Sequence, residues 1–265
     1  MKELDLLRED LSQCDEILLN TLVMRSRIVE QIMACKERLG LPILQPQREA
    51  VLRARVEERV RGLRYSKEIL DIYESILLNS KRLQARRIFN FNVVLIGFMG
   101  TGKTTIAAYL NTLFAMEVVE MDQVIAEEAG MSVSEIFETY GEEYFRDAET
   151  RLLIRLQSKK NTLISCGGGV PLRERNVAEM RKNGKVVLLT AGPDTILNRL
   201  QGDHSRPLLE HNKDVNAIAA LMERRRKKYE AAADIVLITD GKSELEICEE
   251  LVQRLLAERE GSPEP

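Results

Sequence analysis

Residues 97–105 read G-F-M-G-T-G-K-T-T, preceded by the short apolar strand N-V-V-L-I (92–96) and followed by the amphipathic run I-A-A-Y-L-N-T-L-F. Gly97, Gly102, Lys103 and Thr104 satisfy G-x-x-x-x-G-K-T, and they do so between strand and helix, where that pattern carries a mechanism. Glycines let the backbone wrap a phosphate, and loop N–H groups plus the helix N-terminus supply partial positive charge. Lys103 is expected to reach the outer phosphates of a nucleotide and Thr104 to ligate Mg2+. Gly97, Gly100, Gly102, Lys103, Thr104 and Thr105 are thus the expected cradle for ATP; a glycine-rich turn without ligand is the bland alternative. The motif also constrains the fold. Further apolar strands are expected at 117–121, 162–166, 185–190 and 234–238, separated by helices, which makes a parallel doubly wound sheet.

Nothing before residue 90 fits that plan. Residues 1–89 hold two glycines and 17 basic against 14 acidic residues, whereas the remainder holds thirteen glycines and 22 basic against 28 acidic. With 265 residues in all, the chain reads as two domains, an all-helical one at 1–89 and an α/β one at 90–260, with 261–265 as a disordered tail. The join around Arg87–Asn92 is short. A net charge of −3 argues against a dedicated nucleic-acid binder. No run approaches the ~18 apolar residues of a membrane span. The acidic, amphipathic start MKELDLLRED is unlike a signal peptide. Cys14, Cys35, Cys166 and Cys248 share no C-x-x-C spacing and read as reduced thiols of a cytoplasmic protein. His204 and His211 are the only histidines, so a dedicated zinc site is not expected.

The first domain reads as three helices. Residues 3–38 lack Gly and Pro, and positions 4, 7, 11, 14, 18, 21, 25, 28, 32, 35 and 39 form an apolar seam interrupted at Thr21 and Arg25. Gly40 and Pro42 stop this helix. A second helix spans about 46–61, opened by Pro46, and a third about 66–87, with Ser66 as N-cap. A first helix of that length is ~54 Å long. It exceeds the width of its own domain, so the seam wants a partner, most simply the same helix of a second chain.

Arg25 on the apolar seam can be a snorkelling surface arginine. It can also belong to a buried anion site. Lys36 lies three turns on along the same face, Arg8 lies one turn before Leu11, Arg48 and Glu49 open the second helix, and Ser80 and Gln84 are an i, i+4 pair on the third. Four cations, one carboxylate and two neutral polar groups would suit a small dicarboxylate that also carries an ether and a hydroxyl.

In L-R-E-D-L-S-Q-C-D (7–15), R-S-R (25–27), A-C-K (34–36), Q-R-E (47–49) and N-S-K-R-L-Q (79–84), the domain resembles the all-helical class of chorismate mutase. The resemblance implies an intertwined homodimer with two sites, each taking Arg8 from one chain and Arg25, Lys36, Arg48, Glu49, Ser80 and Gln84 from the other. Rearranging chorismate to prephenate needs no nucleophile, only a held geometry and stabilised charge on the breaking ether oxygen. By resemblance Arg8 and Arg25, with Arg48 nearby, clamp the carboxylates. Lys36 and Gln84 donate to the ether oxygen, and Glu49 takes the ring hydroxyl. Gln45 stands where that family often has a carboxylate.

Four features of the second domain bear on the phosphoryl acceptor. Glu120 and Asp122 end the second strand, E-Y-F-R-D-A-E (143–149) presents Arg146 and Glu149 one turn apart, S-C-G-G-G (165–169) follows the third strand, and S-R-P-L-L (205–209) precedes R-R-R-K-K-Y (224–229). In this order, after the phosphate loop, they resemble shikimate kinase over about residues 92–257. The resemblance implies strand order 2-3-1-4-5 and a mobile lid. Asp122 would bind the acceptor hydroxyls and take the proton. Arg146 and Arg225 would pair with the shikimate carboxylate, and Gly167, Gly168 and Gly169 would approach its ring. Arg206 in the lid would stabilise the transferring phosphoryl group, Arg199 would sit near the adenine, and Ser165 would help hold the Mg2+ water shell. Plainer readings exist: 224–228 as a solvated charge run, the glycines as a structural turn, and Glu149 as a salt-bridge partner that orients Arg146. One departure stands out. Where the family usually has Asp-x-Asp, this chain has Glu120-Met121-Asp122, so altered use of metal by Glu120 is expected.

The sequence therefore reads as a fusion of a chorismate mutase and a shikimate kinase. The rivals are a kinase with a dimerising or chorismate-sensing first domain, and a P-loop kinase for another polyol acid or nucleotide.

Overall fold

The computed structural model describes residues 2–200 and 214–260. The lid residue Arg206 and the tail 261–265 lie outside the described residues. Contacts divide the chain into two compact units, Met1–Arg87 and Ile88–Pro265. The division falls two residues before the expected 89/90 join. Ile88 and Phe89 are fully buried, and the Phe89 ring meets Phe114 of the second unit edge-on with centroids 5.1 Å apart.

The first unit consists of α1 (Lys2–Leu39), α2 (Pro46–Val60) and α3 (Ser66–Ile88). Without Gly or Pro to break it, α1 runs 38 residues. Met33 is its one buried residue among those described. Ile43, Leu44, Val60, Leu77 and Ala85 are the other apolar residues buried in this unit among those described. The seam is uncovered within this chain: Leu4, Leu7, Leu11 and Leu18 are 52%, 60%, 61% and 50% exposed. A contiguous apolar stripe of that length marks an interaction face. Arg87 donates to Glu37 at 2.7 Å, and Arg53 donates to Glu74 at 2.7 Å. Such exposed pairs orient helices more than they stabilise them.

The second unit is a five-stranded parallel sheet in the order β2-β3-β1-β4-β5. The strands are β1 (Asn92–Ile96), β2 (Glu117–Glu120), β3 (Thr162–Ser165), β4 (Gly184–Thr190) and β5 (Ile235–Ile238). All five residues of β1 are buried, as befits a central parallel strand covered on both faces. The connecting helices are α4 (Lys103–Phe114), α5 (Met121–Ala129), α6 (Val133–Leu156), α7 (Glu174–Asn183), α8 (Pro193–Leu200), α9 (Val215–Ala232) and α10 (Glu244–Glu260). Val94, Ile96, Ile164, Val186 and Leu188 share one core with Leu152 of α6, Met180 of α7 and Tyr229 of α9. The alternate residues Val93, Leu95 and Leu163 are also fully buried. α6 begins with a capping box in which Glu135 N donates to the Ser132 hydroxyl and Ser132 N to the Glu135 carboxylate. Among the described residues no helix is long and apolar enough to cross a membrane.

The site needs β1 and β3 to end side by side, and Asn92 fixes their start. Its buried amide donates to the Lys159 carbonyl at 3.0 Å and accepts from Thr162 N at 3.1 Å. Asn92→Ala leaves the Thr162 N–H unpaired, at a cost of about 2 kcal/mol. Urea unfolding monitored in the second unit should show that loss as a lower midpoint with an unchanged slope.

Candidate functional site

In the first unit, folding brings part of the expected anion site together within one chain. Arg25 of α1 donates to Ser80 of α3, and Ser80 is buried. The Lys36 ammonium donates to the Ile43 carbonyl at 2.9 Å, at the turn between α1 and α2. Glu49 forms an ion pair with Lys81 at 2.8 Å. Lys81 is a neighbour that the sequence reading passed over, although it follows Ser80 directly. Gln84 is half-buried on α3 and Arg48 is exposed. Arg8, near the start of α1, is 69% exposed and pairs with Asp5 at 3.5 Å, so this chain does not gather it with the others.

In the second unit the phosphate loop leaves the C-terminal end of β1. Gly97 sits at φ +148°, and a Cβ there would overlap the Leu189 carbonyl of β4. Only glycine lets the loop turn this close to the neighbouring strand. The Lys103 ammonium donates to the Gly97 and Phe98 carbonyls at 2.9 and 3.0 Å, folding back across the loop. Arg199 of α8 donates to the Gly100 carbonyl at 3.2 Å and to the Thr239 hydroxyl at 3.0 Å. It thus ties the phosphate loop to the turn after β5. A cleft of about 470 Å³ opens over this loop. Its lining includes Gly100, Gly102, Lys103, Thr104, Thr105 and Arg199 together with Glu120, Asp122, Ser165, Gly167 and Gly168. Thr239 and Lys242 also line it, from a turn that carries no sequence signature.

Parallel register sets Glu120 of β2 opposite Ser165 of β3, and α5 starts immediately afterwards, so Asp122 projects from its first turn. One carboxylate oxygen of Glu120, Oε1, is buried without a hydrogen-bond partner. That orphaned oxygen, the Thr104 and Ser165 hydroxyls and the Asp122 carboxylate make a hard oxygen-donor set of the kind Mg2+ takes. Among the described residues no cluster of three or more His, Cys, Asp or Glu could hold a metal. An ion here would therefore lean on hydroxyls and nucleotide phosphates.

The expected acceptor residues converge around the glycine turn that follows β3. A Cβ on Gly167 would overlap the Asp122 carboxylate, and one on Gly169 would overlap the Arg146 guanidinium. The backbone of 167–169 therefore lies against both side chains. A Cβ on Gly168 would sit 3.6 Å from Arg225 Nη1 and 3.6 Å from the Tyr229 hydroxyl. The Arg225 guanidinium in turn lies 5.8 Å from the Phe98 ring centroid. Of the charge run 224–228, the turn of α9 thus directs Arg225 inward, whereas Arg226 pairs outward with Glu223 at 2.9 Å. Glu149 is fully buried and accepts from Arg146 at 2.9 and 3.0 Å, as an orienting partner would. Burial pushes the Glu149 carboxyl up to about 7, against the pull of Arg146 and with help from the nearby Asp122 charge. Cys166 is buried, which raises its thiol far above the usual range and leaves it unreactive.

Fold and cleft together define a P-loop phosphotransferase: a phosphate loop at the end of the central strand shares one cleft with the Asp122 carboxylate and with a glycine turn that packs against two arginines. The shikimate kinase family model matches residues 99–256, and the chorismate mutase type II model matches residues 7–85. This chain belongs to the shikimate kinase family, which uses ATP, and carries a chorismate mutase type II domain ahead of the kinase. The shikimate kinase of Persephonella marina is 40% identical over 164 residues, 62% of this chain and 98% of that protein. That of Geobacter sulfurreducens is 43% identical over 160 residues, 60% of this chain and 88% of that one. Among solved structures, the Acinetobacter baumannii shikimate kinase in complex with shikimate matches with a TM-score of 0.60 at 30% identity, covering 64% of this chain and 94% of that one. The Aquifex aeolicus shikimate kinase matches with a TM-score of 0.54 at 31% identity, covering 64% and 99%.

The Glu149 shift has a definite sign. An unfolded glutamate releases its proton near 4.5, whereas this one holds it to about 7 in the fold. Between those values the folded state binds more protons, so the contribution of Glu149 to stability falls as pH rises through the window. Glu149→Gln removes the titration. The melting temperature of the variant should rise relative to wild type between pH 5 and pH 8; a constant difference contradicts the assignment.

Proposed function

We propose that the chain phosphorylates the 3-hydroxyl of shikimate with MgATP in its second unit and rearranges chorismate to prephenate in its first. The kinase reading is carried by one observation: the 167–169 backbone lies against Asp122 and Arg146, beside Arg225 and facing the phosphate loop. Two arginines suit an anionic acceptor and disfavour a neutral one. The glycines let the Asp122 carboxylate and the Arg146 guanidinium come up against the loop, where a Cβ would displace them. Asp122 accepts the proton of the attacking hydroxyl. Lys103 and the loop N–H groups hold the donor phosphates, and Arg206 stabilises the charge that moves with the phosphoryl group. Arg199 borders the adenine. Thr104, Glu120 and Ser165 would hold Mg2+, which when bound neutralises charge on the outer phosphates.

For the mutase, Arg25 and Ser80 form the fixed half of the site, and Glu49 keeps a carboxylate oxygen for the ring hydroxyl. Arg8 completes the pocket from a second copy, whose α1 covers the exposed seam of the first; the length and exposure of that seam support a homodimer. Work on small metabolites, with all four cysteines present as free thiols, fits a cytoplasmic setting.

Two assays on one preparation test both halves. Loss of chorismate absorbance with prephenate formed should fall at least ~100-fold in kcat/KM in Arg25→Ala. With ATP, shikimate should turn over ahead of quinate, gluconate and a nucleoside monophosphate. A folded dimer that binds chorismate without turnover would make the first unit a sensor, and preference for another acceptor would reassign the kinase.

A further inference from the structure

We propose that Tyr229 is a positioning residue for the acceptor side of the kinase site, acting through Gly168 and Arg225; this rests on the shikimate kinase reading above. Tyr229 sits on α9, one helical turn after Arg225, and is 5% exposed. Its hydroxyl donates to the Gly168 carbonyl at 2.6 Å. The three carbonyls of the glycine loop are held in two ways. Those of Gly167 and Gly169 accept from Val170 N and Leu172 N, each at 3.1 Å, within the turn itself. The Gly168 carbonyl accepts from Tyr229, which reaches it from another helix.

The same hydroxyl faces Arg225. Burial raises the phenol above its usual pKa, against the charge of Arg225 and a hydrogen bond from it. The phenol therefore stays protonated through neutral pH. A phenol has one proton to give. With that proton on the Gly168 carbonyl, the oxygen lone pairs are left to accept from the Arg225 guanidinium. One hydroxyl thus couples the backbone beside the acceptor ring to the cation that meets its carboxylate. Phe98 of the phosphate loop holds the other side of that guanidinium, with its ring centroid 5.8 Å away.

The nearby Asn176 network makes the contrast. Asn176 is fully buried, accepts from the Thr150 hydroxyl at 2.6 Å and donates to the Val170 carbonyl at 3.1 Å. It braces the same turn through the Val170 carbonyl, with no hydrogen bond to Gly168. Its loss should lower stability without favouring one substrate over the other.

Steady-state kinetics of the full-length protein test the proposal. Tyr229→Phe keeps the ring and removes the hydroxyl. We expect the KM for shikimate to rise about tenfold, with the KM for ATP unchanged and kcat within about twofold. In an Arg225→Ala background the same change should add clearly less than the tenfold it costs alone, because the hydroxyl acts partly through that arginine and partly through the Gly168 carbonyl. Replacing Tyr229 by 3,5-difluorotyrosine keeps the fold and makes the phenol more acidic. The proposal predicts that the shikimate KM rises at alkaline pH as the phenol loses its proton, and that the difluoro variant shows this rise at lower pH than wild type. An unchanged shikimate KM in folded Tyr229→Phe, a parallel rise in both KM values, or full additivity with Arg225→Ala overturns the proposal. Failure of the wild-type chain to phosphorylate shikimate overturns the function reading along with it, so the two failures are distinct.

Discussion

The cleft of the second unit depends on how closely the backbone at Gly167 and Gly169 approaches two side chains. A methyl group on either residue would occupy the space of the Asp122 carboxylate or the Arg146 guanidinium. That contact requires β3 to end level with β1 and β2 to end level with β3, which the parallel register provides: Leu95 pairs with Ser165, and Glu120 with Ser165. Asn92 fixes the same register at the opposite ends of the strands. The sheet is in this sense a ruler. It brings the phosphate loop and the glycine turn 167–169 to one rim, where α/β sheets place their ligands.

Electrostatics follow from the same crowding. Arg146 is wedged between the loop and α6, and its ion pair with fully buried Glu149 keeps the guanidinium aimed along the loop. A buried pair of this kind adds little net stability, because desolvation offsets the attraction. Its consequence here is orientation, together with a carboxyl that titrates near neutrality. The first unit uses a looser version of the same device. The Glu49–Lys81 pair is part-exposed, with Lys81 at 16% and Glu49 at 34%.

The strands and the three leading helices were legible because each has an undiluted local signal. β1 is an all-apolar run closed by glycine, and α1 is a long stretch free of Gly and Pro that ends at Gly40. The order 2-3-1-4-5 came from resemblance, since apolar runs alone do not rank strands. Asp122, Arg146 and the glycines were legible as a set and lie together. Tyr229 was hidden by the charge run before it, whose composition reads as solvated surface. Only the turn of α9 separates inward Arg225 and Tyr229 from outward Arg226. Lys81, Thr239 and Lys242 were missed because their roles arise from packing between segments far apart in sequence. Arg206 lies outside the described residues.

The central claim is that the glycine loop is part of the acceptor site and not a structural turn. Calorimetric titration of Gly169→Ala with shikimate, and separately with ATP, tests it most directly. Shikimate binding should be lost, because the added methyl displaces Arg146, while ATP should bind as in wild type at the phosphate loop. Wild-type affinity for shikimate in the folded variant would contradict it.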